Sequence, residues 1–104
     1  NHGEAVLMGM MIASELSYEK KLLSLKDLIL IKKHYLDLKL PMNIKKRFSK
    51  KDLNTIIYFM KKDKKNLNQK INLILLKKIG KTTNPNDFTM NYGELKNFLI
   101  KQYT

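Results

Sequence analysis

From Ala5 to Ala13 the chain runs through nine residues without one polar side chain. A helix that is apolar on every side has to be enclosed on every side, so this segment demands neighbours all round. It is about half of the ~20 residues needed to cross a bilayer, and it lacks the basic leader of a signal peptide. The chain is therefore expected to be soluble and cytoplasmic, with no membrane partner. The helices that can follow are short and amphipathic, which makes the chain look like the tail of something larger. At 104 residues a chain buries only roughly 60 to 70% of the surface it exposes when unfolded, so its core would be marginal alone.

The first helix is expected from about Glu4 to Lys20, with Gly9 and Ala13 one turn apart forming a flat strip for close helix contact. Ser24-Leu25-Lys26-Asp27 has capping-box spacing with Asp in place of Glu, so a second helix starts there. Its stripe is Leu28, Ile31, Tyr35 and Leu38, and Pro41 ends it. Ser49 to Asp52 repeats the start signal for a third helix with Leu53, Ile56, Ile57 and Met60 inward, stopping near Asp63. Ile71 to Leu76 suits a buried strand, Gly80 a turn, and Lys81 to Asn84 a short returning strand. Asn84 to Asp87 reads as a loop, and a last helix from about Tyr92 to Gln102 turns Leu95, Phe98 and Leu99 inward. The expected fold is mainly α, with a small β-hairpin before the last helix.

A net charge of +12 suits phosphate-rich partners. Arg47, however, is the one arginine among 21 basic residues, and base readers favour the planar, bidentate guanidinium. Abundant Lys, Asn and Ile is what an AT-rich genome would encode at tolerant surface positions, so no nucleic-acid partner is expected. The competing reading is a lysine-rich helical module that binds nucleic acid or a partner helix.

Without cysteine there are no disulfides, no thiol chemistry and no Cys-ligated zinc, so a metal must use His, Asp or Glu. His2, just ahead of the apolar helix, has a neutral nitrogen to offer a divalent cation and needs an acceptor for its other ring N–H. Glu4 is a candidate for that acceptor, or for a charge favouring the helix N-terminus. Lys61-Lys62-Asp63-Lys64-Lys65 sits where the third helix ends. It reads either as cations stabilised by the helix dipole or as an anion site with one lysine turned inward. His34 is expected to face solvent, and the methionines at 8, 10 and 11 to serve packing. There is no glycine-rich phosphate loop, nucleophile elbow or paired-His spacing.

Taken in order, His2-Gly3-Glu4-Ala5-Val6, Gly9-Met10, Leu16-Ser17, Leu40-Pro41, Met60 to Lys65, Lys70-Ile71, Leu75-Leu76 and Ile79-Gly80-Lys81 resemble the C-terminal part of the 3-dehydroquinate synthase family. The His-Gly-Glu motif is shared with iron-dependent alcohol and glycerol dehydrogenases. Asp63-Lys64-Lys65 followed by Ile79-Gly80-Lys81 is more particular to the synthase. The resemblance implies that residues 1–104 are part of a helical metal- and substrate-binding domain, with an NAD-binding domain preceding it, in an enzyme that is a homodimer.

It further implies NAD and a zinc ion, replaceable by cobalt, held by one Glu and two His, of which His2 matches the last. Lys64 matches a lysine that contacts the phosphate end of a sugar-phosphate substrate. The implied reaction converts 3-deoxy-D-arabino-heptulosonate 7-phosphate into 3-dehydroquinate and phosphate, in the shikimate pathway. Asp63 holding the turn and Lys65 as a neighbour without contact are weaker inferences. Alone, the piece would be inactive. Within the same superfamily the alternative is another sugar-phosphate cyclase or a metal-dependent polyol dehydrogenase. Lys21 and Lys39 stand where the family usually has glycine after a helix, which predicts strained or rearranged caps.

Overall fold

The structure, a computed structural model, describes residues 2–60, 70–72, 76–78, 80–82 and 89–103. Their elements are α1 (His2–Glu19), α2 (Leu25–Asp37), α3 (Ile44–Arg47), α4 (Leu53–Met60), β1 (Lys70–Asn72), β2 (Leu76–Lys78), β3 (Lys81–Thr82), β4 (Thr89–Asn91) and α5 (Tyr92–Ile100). The fold is mainly α. Among the described residues no helix is long and apolar enough to cross a membrane.

The apolar segment lies inside α1 and forms the axis of the fold. Ala5, Met8, Gly9, Met11 and Ile12 are buried, and α4 and α2 pack against it. Enclosure is incomplete, because Met10 is 56% exposed. Among the described residues α4, α2 and β2 pack on α1 and leave one side open, so an all-apolar sequence still shows one side to solvent. Ser14 and Ser17, also buried on α1, donate to the carbonyls of Met10 and Ala13 one turn earlier. Each buried hydroxyl is thereby satisfied within its own helix.

Gly9 sets how closely α1 and α4 approach. A Cβ there would lie 3.3 Å from Met60 Cγ and 3.8 Å from the Ile56 carbonyl oxygen, so a side chain would press on α4. The expected inward stripe of α4 is observed, with Leu53, Ile56 and Ile57 buried and Met60 packed against the same cluster. Met8, Ile12 and Leu16 of α1, Ile44 of α3, and Met90, Leu95 and Leu99 complete the core.

The start signals act as read. Ser24 Oγ accepts from the Asp27 N–H at 3.1 Å, and Asp52 accepts from the Ser49 N–H at 3.0 Å, satisfying amides that a helix start leaves open. Asn43 and Asn91 cap α3 and α5 through the Lys45 and Gly93 amides. The short α3 was not expected. Its four residues are held by that cap and by burial of Ile44. On α2, Leu28 and Tyr35 are buried as expected, but Leu38 is 57% exposed because the helix ends at Asp37 and the chain turns away. The Tyr35 hydroxyl donates to the Leu7 carbonyl at 2.9 Å, tying α2 to α1, and burial raises its pKa.

Both lysine caps are left-handed, with φ of 63° at Lys21 and 56° at Lys39. At each site the amides of this residue and the next bond back to the helix, Lys21 to Tyr18 and Leu22 to Ser17, then Lys39 to Leu36 and Leu40 to Tyr35. These are Schellman caps that glycine adopts freely. A non-glycine residue in this region is strained by about 1–2 kcal/mol, more than the 0.5–1 kcal/mol of entropy glycine loses. Lys21→Gly and Lys39→Gly should therefore each stabilise the fold by up to ~1 kcal/mol. A thermal melt whose midpoint is unchanged or falls would show that the lysines carry no strain.

The strand reading is corrected in part. In place of one strand over 71–76 there are two, β1 and β2, in separate two-stranded sheets; residues 73–75 lie outside the described residues. β2 and β3 form the expected hairpin, pairing Leu76 with Thr82 and Lys78 with Lys81, and Gly80 takes φ 84° in its turn. Of the returning strand expected over 81–84, Lys81 and Thr82 are observed as β3, and 83–88 lie outside the described residues. β1 instead pairs antiparallel with β4, Ile71 opposite Met90, a distant partner that local alternation does not reveal.

Glu15 is half-buried on α1, and that burial raises its pKa against the opposing attraction of Lys32. With a raised pKa the folded state binds more protons than the unfolded one between the two pKa values. Stability is then lost as pH rises through that window. Glu15→Gln should raise the melting temperature at pH 7 and leave it close to wild type at acid pH, where Glu15 is already neutral. Equal effects at both pH values would mean that desolvation of the carboxylate is not the cause.

Candidate metal and substrate site

The start of α1, the end of α4 and the end of α3 come together. His2 opens α1 and its ring is exposed, packed edge-to-face against Phe59 with centroids 4.5 Å apart and planes at 84°. Phe59 meets Tyr58 in a second perpendicular contact at 5.4 Å. Glu4, in the first turn of α1, accepts from Arg47 Nη1 at 2.8 Å. The pair is partly exposed, with side chains 48% and 35% accessible, so its stabilising effect is at most about 1 kcal/mol. Its consequence is geometric, because it fastens α3 to the turn that carries His2.

Glu4 lies in the first turn of α1, where a negative charge favours the helix N-terminus, and its carboxylate meets Arg47. Arg47 and Phe59 were not picked out from sequence as members of this end of the fold. The signal for Arg47 was its being the one arginine, since a carboxylate across two helices is well met by a guanidinium fork. Nothing local marks Phe59, which sits in a stretch read as core. His34 is exposed, as expected.

Among the described residues the His2 imidazole makes a ring contact and no hydrogen bond, and the unprotonated nitrogen of a neutral imidazole can bind a cation. That is the donor chemistry a divalent metal needs. Among the described residues no three His, Asp or Glu side chains converge as a metal site, so His2 offers one donor and not a complete set. Lys64, Asp63 and Lys65 lie outside the described residues. The helix that leads to them ends at Met60, one residue beyond Phe59.

A family model described as 3-dehydroquinate synthase C-terminal matches residues 1–66. A protein of Pelagibacter ubique named 3-dehydroquinate synthase is 48% identical over all 104 residues, which correspond to 28% of that protein. One of the same name from Coxiella burnetii is 34% identical over 98 residues, 94% of this chain and 26% of its own length. The chain thus spans little more than a quarter of the curated relatives it matches. No solved structure matches it significantly.

Proposed function

The chain belongs to the 3-dehydroquinate synthase family, and from that premise we propose that it is the C-terminal metal- and substrate-binding part of a lyase. The whole protein would convert 3-deoxy-D-arabino-heptulosonate 7-phosphate into 3-dehydroquinate and phosphate, as a cytoplasmic homodimer. In this reading His2 is one ligand of a zinc site, also open to cobalt, that the rest of the protein completes. The observation that carries it is the His2 imidazole, exposed, without a hydrogen bond among the described residues and packed on the helix that precedes the lysine cluster in the sequence.

Zinc supplies a Lewis acid that polarises a bound oxygen and orients the substrate. What this chain contributes is placement. The Glu4–Arg47 pair fastens the first turn of α1, and Phe59 confines the His2 ring. Lys64 follows Met60 by four positions in the sequence, and in this reading it belongs to the substrate site. There its ammonium would hold the substrate phosphate as a point charge. In this reading NAD is held by other parts of the protein, since the four glycines at 3, 9, 80 and 93 make no glycine-rich phosphate-binding motif in the sequence.

Product analysis on the whole protein tests the reaction. Dehydroquinate with one equivalent of free phosphate is the expected result, and net NADH without phosphate would instead mean a polyol dehydrogenase. Lys64→Ala should leave zinc bound and weaken substrate by about 1.5 to 3 kcal/mol, the worth of a charge-assisted hydrogen bond. It would appear mainly in KM. Unaltered kinetics would make the lysine cluster a solvated helix end.

A further inference from the structure

We infer that Phe59 is a positioning residue for the metal ligand: its ring, fixed near the end of α4, holds the His2 imidazole in the orientation that aims a nitrogen at the cation. This rests on His2 being a ligand, as proposed above. A metal–imidazole bond lies in the ring plane, so rotation of the ring misdirects the donor even when the backbone is in place. The usual restraint is a hydrogen bond to the other ring nitrogen. His2 has none from the described residues, and stands exposed at the first position of α1.

Phe59 supplies the restraint in another form. At 4.5 Å and 84° the two rings adopt the perpendicular arrangement that aromatic pairs prefer. Phe59 is itself constrained, with Tyr58 perpendicular to it at 5.4 Å and Ile56 and Ile57 of the same helix anchored in the core. Because the contact is between rings, it restrains orientation without a hydrogen-bond acceptor. One helix therefore supports the ligand and leads into the lysine segment.

The test compares the whole protein as wild type, Phe59→Ala, Phe59→Leu and Phe59→Tyr, with His2→Ala and Tyr35→Phe as references. Zinc affinity is read by competition with a chromophoric chelator, and ligand geometry by the visible absorption of the cobalt-substituted form. Phe59→Ala and Phe59→Leu should each bind zinc about 10-fold more weakly, the lower end of what losing a ligand's support costs, with an altered cobalt spectrum. Phe59→Tyr should keep both, and Tyr35→Phe, which loosens the fold elsewhere, should change neither. Wild-type affinity and spectrum in Phe59→Leu, which keeps the apolar volume and folds, would overturn the positioning role while a zinc-poor His2→Ala left the ligand assignment standing. If His2→Ala itself retained zinc, the ligand assignment would fall and the role of Phe59 with it.

Discussion

His2→Ala should strip the whole protein of its zinc and its activity together. Loss of a residue that only supports a ligand lowers metal affinity about 10- to 100-fold, and loss of the ligand itself should exceed that. The substitution leaves the fold intact, because His2 is exposed and is the first residue of α1, with its described contact confined to the Phe59 ring. Metal analysis after dialysis, beside far-ultraviolet circular dichroism, separates the two effects. Zinc content unchanged from wild type would remove His2 from the site and leave the imidazole a packing group at a helix end.

Ile56→Ala should have the largest effect on stability. Ile56 is completely buried, in the core that joins α1, α4 and α5, and its carbonyl faces Gly9 across the closest approach of α1 and α4. Removing most of such a side chain loses transfer free energy and leaves a cavity, together about 2 to 5 kcal/mol. Against a total stability of roughly 5–15 kcal/mol for a domain that is a large fraction. Hydrogen exchange reads it locally, and amides of α1 and α4 should lose protection roughly 30-fold or more. A loss of less than about 5-fold would mean the two helices are not packed as described. Zinc affinity should also drop, because the helix that carries Phe59 is loosened.

Most of the helical framework could be read from the residues, because its signals are local. The serines at 24 and 49 with Asp three residues later started helices where expected. Periodic apolar residues chose the inward face of α4 and, at Leu95 and Leu99, of α5. The lysines at 21 and 39 are left-handed, in keeping with the glycines that the resemblance implies for those positions. Where reading fell short, the determinant was a distant partner. β1 takes its partner from β4, far along the chain, Leu38 is exposed because the helix ends before it, and Met10 faces solvent because no described element covers that side.

The candidate site divides the same way. His2 stood out as a donor, and the run of motifs from His2 to Lys81 carried the resemblance to the family, since the order and spacing of residues survive in one dimension. Lys64 was legible only by that resemblance, and lies outside the described residues. Arg47 and Phe59 belong to the site by contact alone, 43 and 57 positions after the residues they meet (47 − 4 and 59 − 2).

Caps and apolar periodicity by themselves determined that this chain is helical and where its helices start, because each acts within a few residues, and the order and spacing of its motifs carried the resemblance to the family. Only the tertiary structure decided which ring confines His2, which arginine fastens Glu4 and which face of α1 stays open. Those outcomes depend on how closely α1 and α4 can approach at Gly9, a distance that no stretch of sequence contains.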